Sequence, residues 1–308
     1  MTCQINFQLI QALRNVIPAE RVLVDEPMVR RTTFRIGGNA DIFVLPASID
    51  ELLHILQLMK EYAVPLTILG NGSNVLVRDG GIRGIVVSFG KPFATMEQQG
   101  TRIIAGAGAT LGAISLFAAS RSLSGLEFAV GIPGSLGGAV FMNAGAYDSD
   151  ISQVVRTVTA MTPEGEIIRY RTGEMAFSYR HSVFQENGQI ICEIELELKQ
   201  GNPDAIQNKM TEFTKRRTEK QPLDKPSAGS TFKRPPGHFA GTLIDEAGLK
   251  GLSVGGAQIS EKHAGFVINK GGATAADVLA LIGEVQRRIE EKNGIYLTPE
   301  VRIIGEDT

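Results

Sequence analysis

The stretch GLEFAVGIPGSLGGAVFMNAGAY, residues 125–147, decides the fold. Its six glycines stand at 125, 131, 134, 137, 138 and 145. Glycine inside a helix or strand costs about 0.5–1 kcal/mol relative to alanine, so this stretch is too rich in glycine for either element. Pro133 fixes its own backbone, so we predict a tight loop along which a flat or anionic ligand could lie. Close packing of the loop on a sheet would require the same residues.

A second glycine-rich segment, LGNGSNVLVRDGG, covers residues 69–81. It follows the apolar run VPLTILG (64–70), which predicts a buried strand. Successive backbone N–H groups in such a turn can form an anion site. The segment lacks the Lys-Ser/Thr ending of a P-loop, and Val75 stands where the third glycine of Gly-x-Gly-x-x-Gly would be. A cluster of β-turns would have the same composition, so phosphate binding stays one of two explanations.

Two glycine loops outside the usual nucleotide fingerprints indicate a different way of holding a dinucleotide. Ser73, Asn74, Ser135 and Asn143 could add side-chain donors to the backbone groups.

The rest of the chain alternates strands and helices. FRIGGNADIFVLP (34–46) predicts two strands joined by a turn, and a helix follows Ser48. With the strand at 64–70 this makes a βαβ unit. The other predicted elements are helices over 5–17, 110–122, 204–220 and 274–294, a hairpin over 154–172 and a strand over 192–199. Asp204 and Thr274 are the expected N-caps of the last two helices.

Length and composition indicate an ordinary globular protein of several domains. The chain has 308 residues, of which 43% are hydrophobic and 21% charged. We place divisions near residues 66 and 200. The expected domains are 1–66, 67–200 and 201–308.

Charge and targeting signals exclude several functional classes. A net charge of −2 gives no basic footprint for nucleic acid. The N-terminus lacks the pattern of a signal peptide, and no apolar run is long enough to span a membrane. The two cysteines, Cys3 and Cys192, allow no disulfide framework, and the four histidines show no metal-ligand spacing. These features predict a cytoplasmic protein without a metal centre.

Three further segments carry candidate side chains. PSAGSTFKRPPGHFAG (226–241) contains three glycines and three prolines, which predict a stiff loop around Ser230 and Lys233. FSYRHSVF (177–184) contains Arg180, and LTPEVRIIG (297–305) contains Glu300. Taken singly, each of these residues is usual at a strand edge or in a solvated loop.

Taken together, these segments resemble the UDP-N-acetylenolpyruvoylglucosamine reductase family, also called UDP-N-acetylmuramate dehydrogenase. The resemblance covers nearly the whole chain and is closest to the shorter class, which lacks an inserted substrate-covering loop. It implies an α+β fold. Two α/β lobes of the vanillyl-alcohol-oxidase type, at about 33–199, would bind FAD, and a C-terminal α+β domain would bind substrate.

The resemblance also implies the reaction. NADPH would reduce FAD, and reduced flavin N5 would pass a hydride to the methylene carbon of a UDP-sugar enolpyruvyl ether. The product would be UDP-N-acetylmuramate, for cytoplasmic peptidoglycan synthesis, the cell wall, cell shape and cell division. No histidine or cysteine lies in either glycine loop, so we expect FAD to be non-covalent. No obligate protein partner is evident.

The family's site residues map onto this sequence one by one. Arg180 would stabilise the charge on the substrate carboxylate, Ser230 would donate the proton, and Glu300 would orient the carboxylate. Expected cofactor contacts are Gly70, Asn71, Gly72, Ser73, Asn74, Gly131, Ile132, Pro133, Gly134, Ser135, Gly138, Asn143, Ala144 and Gly145. Expected substrate contacts are Lys233, Arg217, Gln258 and His263.

Two other functions remain as alternatives. A flavin oxidase of the same fold, such as a hydroxyacid oxidase, would share the glycine loops but not need Ser230 or Glu300. A sugar-nucleotide-binding protein without catalysis would need the pocket but not Arg180, Ser230 and Glu300 together.

Overall fold

The computed structural model describes residues 7–308. The predicted helix start at residue 5 and Cys3 therefore lie outside the described residues, as do the first six residues of the N-terminal segment. Within residues 7–308, no helix is both long and apolar enough to cross a membrane.

The described residues form seven α-helices. They are α1 (Phe7–Val16), α2 (Ile49–Glu61), α3 (Leu111–Ala119), α4 (Leu136–Met142), α5 (Pro203–Lys220), α6 (Ala240–Glu246) and α7 (Ala275–Asn293).

The same residues form nineteen strands, several of them very short. They are β1 (Val22–Pro27), β2 (Asn39–Val44), β3 (Leu66–Leu69), β4 (Val75–Val77), β5 (Ile82–Ser88), β6 (Met96–Gln99), β7 (Arg102–Gly106), β8 (Leu123–Ser124), β9 (Gly145–Ala146), β10 (Ser149–Asp150), β11 (Val155–Met161), β12 (Ile167–Arg171), β13 (Ile190–Glu197), β14 (Lys199–Gln200), β15 (Ser227–Ser230), β16 (Ser253–Val254), β17 (Ala257–Ile259), β18 (Phe266–Asn269) and β19 (Arg302–Ile304).

The strands form a mixture of sheets. The larger ones have the orders β1-β2-β5-β3, β12-β11-β13-β7-β6 and β15-β18-β17-β16. The two-stranded ladders are β10-β9, β14-β8 and β19-β4. The β3–β5 and β19–β4 pairs are parallel, whereas the five-stranded sheet is antiparallel. This mixture of helices with parallel and antiparallel strands is the predicted α+β class.

The chain divides into two compact units. The first contains the residues up to Leu23, Phe43–Asn71 and Ile85–Arg217. The second contains Val24–Ile42, Gly72–Gly84 and Thr218–Thr308. The predicted three-part division at 66 and 200 stays a prediction.

The first unit is built on the five-stranded antiparallel sheet. The predicted hairpin is confirmed, because β11 and β12 pair from Thr157 opposite Arg171 to Met161 opposite Ile167. Apolar residues of the sheet form one core with α3 and α4, including the fully buried Ile114, Val140 and Ile194.

The second unit packs α7 against the sheet β15-β18-β17-β16. The apolar face of α7, predicted from the helical spacing of its residues, is buried: Leu281 and Val285 are each 0% exposed to solvent. Thr274 accepts a hydrogen bond from the N–H of Asp277 in a capping box, and Gly294 ends the helix at φ +66°. Both predicted ends of this helix are confirmed.

Four details of the sequence interpretation are wrong. The stretch 125–147 does contain a helix, α4, because Ser135 caps it and its glycines allow close packing. The strand β3 is only half-buried, since it lies at the edge of its sheet. The residue that caps α5 is Asn202, whose Oδ1 accepts from the N–H of Ala205 (3.0 Å), while Asp204 lies inside the first turn. Phe7, which the helical spacing places on one face of α1 with Ile10 and Leu13, is 70% exposed, whereas those two are buried.

Candidate active site

The first glycine loop of the candidate site turns sharply after α4. Asn143 ends that helix in the left-handed region, at φ +43°. Its Nδ2 donates to the carbonyl of Ser178 (2.9 Å), and its Oδ1 accepts from the N–H of Ser152 (3.2 Å). The Asn143 side chain is buried, and both of these hydrogen bonds are to the protein backbone. The bond to Ser178 fixes the neighbouring turn, which carries Arg180.

The turn around Arg180 is held in a conformation unusual for an arginine. Its φ of +57° lies in the region that favours glycine. Ser178 and His181 exchange backbone hydrogen bonds across the turn (3.1 and 3.2 Å), and Nη2 of Arg180 donates to the carbonyl of Gly145 (3.3 Å). Left-handed non-glycine residues cost on the order of 1–3 kcal/mol and concentrate at functional sites. The bond from Arg180 to Gly145 therefore connects this turn with the 131–145 loop.

The two glycine loops meet within the first unit at Gly70. A Cβ atom at Gly70 would lie 2.5 Å from Oγ of Ser135, which is too close for any larger residue without movement. Ser135 also accepts from the N–H of Gly138 (3.2 Å), so its side chain is not free to turn away. Gly137 packs on Ala107, where a Cβ would lie 2.8 Å from the alanine methyl. Gly70 and Gly137 therefore support the packing explanation offered for the glycines.

The turn over residues 71–74 has the donor set that an anionic cofactor requires. None of its four backbone N–H groups donates to an acceptor within residues 7–308. Gly72 takes φ +60°, and a Cβ there would lie 2.3 Å from the carbonyl oxygen of Arg31. Consecutive N–H groups without protein acceptors are the chemistry of a pyrophosphate seat. The residues present therefore fit the FAD expected from the sequence.

Arg217 lies beside Gly131, at the start of the 131–145 loop of the first unit. A Cβ at Gly131 would lie 2.7 Å from Cδ of Arg217, so the arginine stem crosses this glycine. Its guanidinium has no hydrogen bond or ion pair to any other part of residues 7–308. Burial lowers the pKa of the Arg217 guanidinium from its ordinary value. A half-buried cation without a protein counterion is a suitable contact for an anionic ligand.

Ser230 ends strand β15 in the second unit and is exposed. The pairing of β15 with β18 shifts between Ser227 and Ser230, which leaves one extra residue in β15. Gly229 lies in this bulge at φ +79°. The bulge turns Ser230 outward, whereas the next residue, Thr231, is buried.

Thr231 joins the segments that carry Ser230, Lys233 and Glu300. Its carbonyl accepts from the N–H of Glu300 (2.7 Å), and Lys233 N–H donates to the carbonyl of Thr298 (2.8 Å). An antiparallel bridge lies between these two bonds, at Phe232 and Pro299. The second unit therefore brings together the backbone segments that carry three of the predicted residues. Arg180 belongs to the first unit, so its predicted meeting with Ser230 and Glu300 stays a prediction.

Two predicted substrate residues already make internal hydrogen bonds. Nε2 of Gln258 donates to the carbonyl of Gly251 (3.1 Å). Nδ1 of His263 accepts from the N–H of Gly265 (3.1 Å), so this nitrogen carries no proton. Burial lowers the pKa of His263 below 6.5 and favours the neutral ring. Of these two side chains, Gln258 keeps Oε1 and its second amide hydrogen for a ligand, and His263 keeps Nε2.

Sequence reasoning missed Thr231 and Thr33. Thr33 Oγ1 donates to the carbonyl of Ser227 (2.7 Å), and Thr33 N–H donates to the carbonyl of Gly72 (3.1 Å). A threonine beside an apolar residue is ordinary in any strand, so the local sequence gives no signal for such long-range bonds.

Two protein families match this chain. Residues 40–171 match the family described as FAD binding domain. Residues 221–304 match the family described as UDP-N-acetylenolpyruvoylglucosamine reductase, C-terminal domain.

Curated relatives of this description cover almost the full chain. The UDP-N-acetylenolpyruvoylglucosamine reductase of Caldanaerobacter subterraneus subsp. tengcongensis is 48% identical over 298 residues, 97% of this chain and 98% of that protein. The protein of the same name from Lachnoclostridium phytofermentans is 47% identical over 305 residues, 98% of each chain. The crystal structure of UDP-N-acetylenolpyruvylglucosamine reductase from Thermus caldophilus is similar with a TM-score of 0.80 and 36% identity, over 92% of this chain and 98% of that one.

Proposed function

The chain belongs to the UDP-N-acetylenolpyruvoylglucosamine reductase family, and from this premise we propose how its residues perform the reaction. The protein is an FAD-dependent oxidoreductase that uses NADPH. It converts UDP-N-acetyl-3-O-(1-carboxyvinyl)-glucosamine to UDP-N-acetylmuramate for peptidoglycan synthesis. Both NADPH and the UDP-sugar are cytoplasmic compounds, which supports a cytoplasmic site of action.

The N–H groups of residues 71–74 and the backbone of 131–135 would hold the FAD. When bound, FAD supplies the hydride chemistry between NADPH and the enolpyruvyl group. Asn74 and Asn143 would contribute through their backbone, because their side chains donate to protein carbonyls. Gly70, Gly138, Ala144 and Gly145 would let the ligand approach the chain closely. We expect non-covalent binding, since neither loop contains a histidine or cysteine.

Arg180 would meet the charge that develops during reduction. Hydride addition to the methylene carbon leaves negative charge on the neighbouring carbon and on its carboxylate. A guanidinium matches a carboxylate with two parallel donors, and its strained backbone fixes where it points.

Ser230 would donate the proton that completes the reaction. The new C–H bond forms at the carbon next to the carboxylate as the serine O–H bond breaks. A serine hydroxyl is a weak acid, so its placement must compensate. Ser230 is exposed, so water can return the proton to the hydroxyl after each turnover.

Glu300 would orient the substrate carboxylate from the segment that pairs with Thr231. Lys233, Arg217, Gln258 and His263 would contact the sugar nucleotide. Arg217 suits a charged group, while Gln258 Oε1 and His263 Nε2 suit neutral hydrogen-bonding groups.

One observation carries the proposal for the substrate-reducing half of the reaction. Residues 231–233 pair with 298–301, so the segment that carries Ser230 and Lys233 lies beside the segment that carries Glu300. This pairing supports a site in which a proton donor, a cation and a carboxylate from separate parts of the sequence act together, as proton delivery to a charged substrate requires.

The visible spectrum of the purified protein tests the function. We expect flavin bands that bleach with NADPH and return, without oxygen, when the enolpyruvyl sugar nucleotide is added. Bands that return only with oxygen would favour the oxidase alternative. Absence of bands after FAD is offered, with tight binding of the sugar nucleotide, would favour the non-catalytic binder.

A further inference from the structure

The side chain of Asn74 holds the main chain of Glu300. Nδ2 of Asn74 donates to the carbonyl oxygen of Glu300 (3.2 Å). The carbonyl of Asn74 in turn accepts from the N–H of Arg302 (3.0 Å). The next residue, Val75, pairs with Arg302 in the parallel ladder of β4 and β19. Asn74 thus extends this ladder by one further bond, which reaches the residue proposed to orient the substrate carboxylate.

Both polar backbone groups of Glu300 are fixed by these contacts. Its N–H donates to the carbonyl of Thr231 (2.7 Å), and its C=O accepts from Asn74 (3.2 Å). Pro299, directly before it, has its own φ fixed by its ring. With its peptide groups held on both sides, the direction in which the Glu300 side chain leaves the backbone is set by Thr231 and Asn74.

The same turn is also connected to the strand that carries Ser230. The carbonyl of Gly72 accepts from the N–H of Thr33 (3.1 Å), and Thr33 Oγ1 donates to the carbonyl of Ser227 in β15 (2.7 Å). Two short chains of hydrogen bonds therefore lead from the turn, one to Glu300 and the other to the strand of Ser230.

We propose that Asn74 is a positioning residue for Glu300 and not a side-chain ligand of the cofactor. Its amide fixes the 300–302 segment, while the backbone N–H groups of the same turn stay available for an anionic group. The turn thereby provides the N–H groups of the cofactor site and also holds the segment that carries Glu300. This inference rests on the proposed function of the turn and of Glu300.

Two substitutions separate this role from a ligand role. Asn74→Ala removes the amide, and Asn74→Asp keeps its shape but replaces the donor with an acceptor that repels the Glu300 carbonyl. A misplacement of about 1 Å at a reacting group can cost on the order of 100-fold in rate. We expect reoxidation by substrate to slow about 10- to 100-fold in both variants. Reduction by NADPH and the FAD dissociation constant should stay within about 3-fold of wild type.

The matched control is Asn39→Ala. Asn39 lies in the same unit, is partly exposed and donates one side-chain hydrogen bond, to Asp25 (2.9 Å). This variant loses a comparable bond at a place with no proposed role, so both half-reactions should match wild type.

Stopped-flow kinetics, a flavin fluorescence titration and amide hydrogen exchange decide the matter. Faster exchange over 298–304 together with a selective loss of the substrate step supports the proposal. An added Asn74→Ala change in Glu300→Gln should then slow the reaction little further, because the two residues act through one group. Weakened FAD binding with a normal substrate step at saturating FAD would show Asn74 to be a cofactor ligand and overturn the proposal. Additive effects with Glu300→Gln would overturn it as well.

Failure of the proposed function gives a different result. In that case the wild-type protein would not be reoxidised by the sugar nucleotide at all. Hydrogen exchange would still test the structural part, since unchanged exchange over 298–304 in Asn74→Ala would show that the amide does not hold this segment.

Discussion

The main-chain N–H of Glu300 donates to the carbonyl oxygen of Thr231 across 2.7 Å, although 69 positions separate the two residues (300 minus 231). Thr231 directly follows Ser230. The proposed carboxylate-orienting residue therefore lies at one end of this hydrogen bond, and the proposed proton donor directly precedes the residue at the other end. Thr231 is buried, which removes water as a competitor for this bond.

We expect Thr231→Val to destabilise the protein by about 1–3 kcal/mol, since it leaves a buried N–H without an acceptor. Thr231 Oγ1 accepts from the N–H of Val267 (3.0 Å), and valine cannot replace this bond. Urea unfolding measures the loss. Thr211→Val, which removes an exposed hydroxyl bonded to its own helix at Gln207, is the control. Equal stability changes in the two variants would show that the buried bond has no special weight.

Ser230→Ala should separate the two half-reactions. The side chain is exposed, so we expect the free energy of unfolding to change by no more than about 0.5 kcal/mol. Reduction by NADPH should stay near normal. Reoxidation by substrate should slow by roughly 100- to 10,000-fold, the usual contribution of a general acid. Stopped-flow absorbance of the flavin gives both rates, and Ser253→Ala, another exposed serine of the same unit, serves as control. Equal losses in both steps would mean that Ser230 has a structural role or contacts both substrates.

Helix ends and hairpins were predictable because their signals are local. Thr274 and Gly294 bound α7 as expected, since a cap depends on a residue and its neighbours within one turn. The helix α4 was not predictable in this way. Its glycines weaken the helix locally, and the contact that requires Gly137 is with Ala107, which lies in the turn after β7, distant in sequence.

The candidate site was predictable only through the resemblance. No periodicity or spacing relates Ser230 to Glu300, because the bond that joins their segments belongs to Thr231. The residues 71–74 had the composition of an anion site, but only the structure shows that their N–H groups have no acceptor within residues 7–308. Long-range backbone bonds leave no trace in the local sequence.

His263 should make the free energy of unfolding depend on pH. Its pKa is lowered from 6.5, mainly by burial, and its Nδ1 accepts from Gly265. The unfolded chain therefore binds this proton more readily than the folded one. The contribution is fully present above pH 6.5 and is lost as the pH falls through the lower folded-state pKa.

We expect His263→Gln to flatten this part of the profile, because glutamine does not titrate. Urea unfolding at several pH values between about 5 and about 8 measures it. The control is His54→Gln, which changes an exposed histidine. If the His263→Gln profile keeps the wild-type slope below pH 6.5, another group is responsible.

Arg180 should show a conflict between stability and activity. At φ +57° any residue with a Cβ is strained, by about 1–2 kcal/mol in the left-handed region. Arg180→Gly and Arg180→Ala lose the same guanidinium and its bond to Gly145. The glycine variant should nevertheless be the more stable of the two by about 1 kcal/mol, the reverse of the usual order. Chemical unfolding of the pair measures this difference.

In both variants NADPH should still reduce the flavin, while reoxidation by the sugar nucleotide should almost disappear, because the forming carboxylate charge has lost its cation. Arg180→Lys, which keeps the charge but not the paired donors, should recover part of the rate. Alanine as stable as glycine would mean that the turn relaxes, and normal reoxidation in either variant would remove Arg180 from the proposed mechanism.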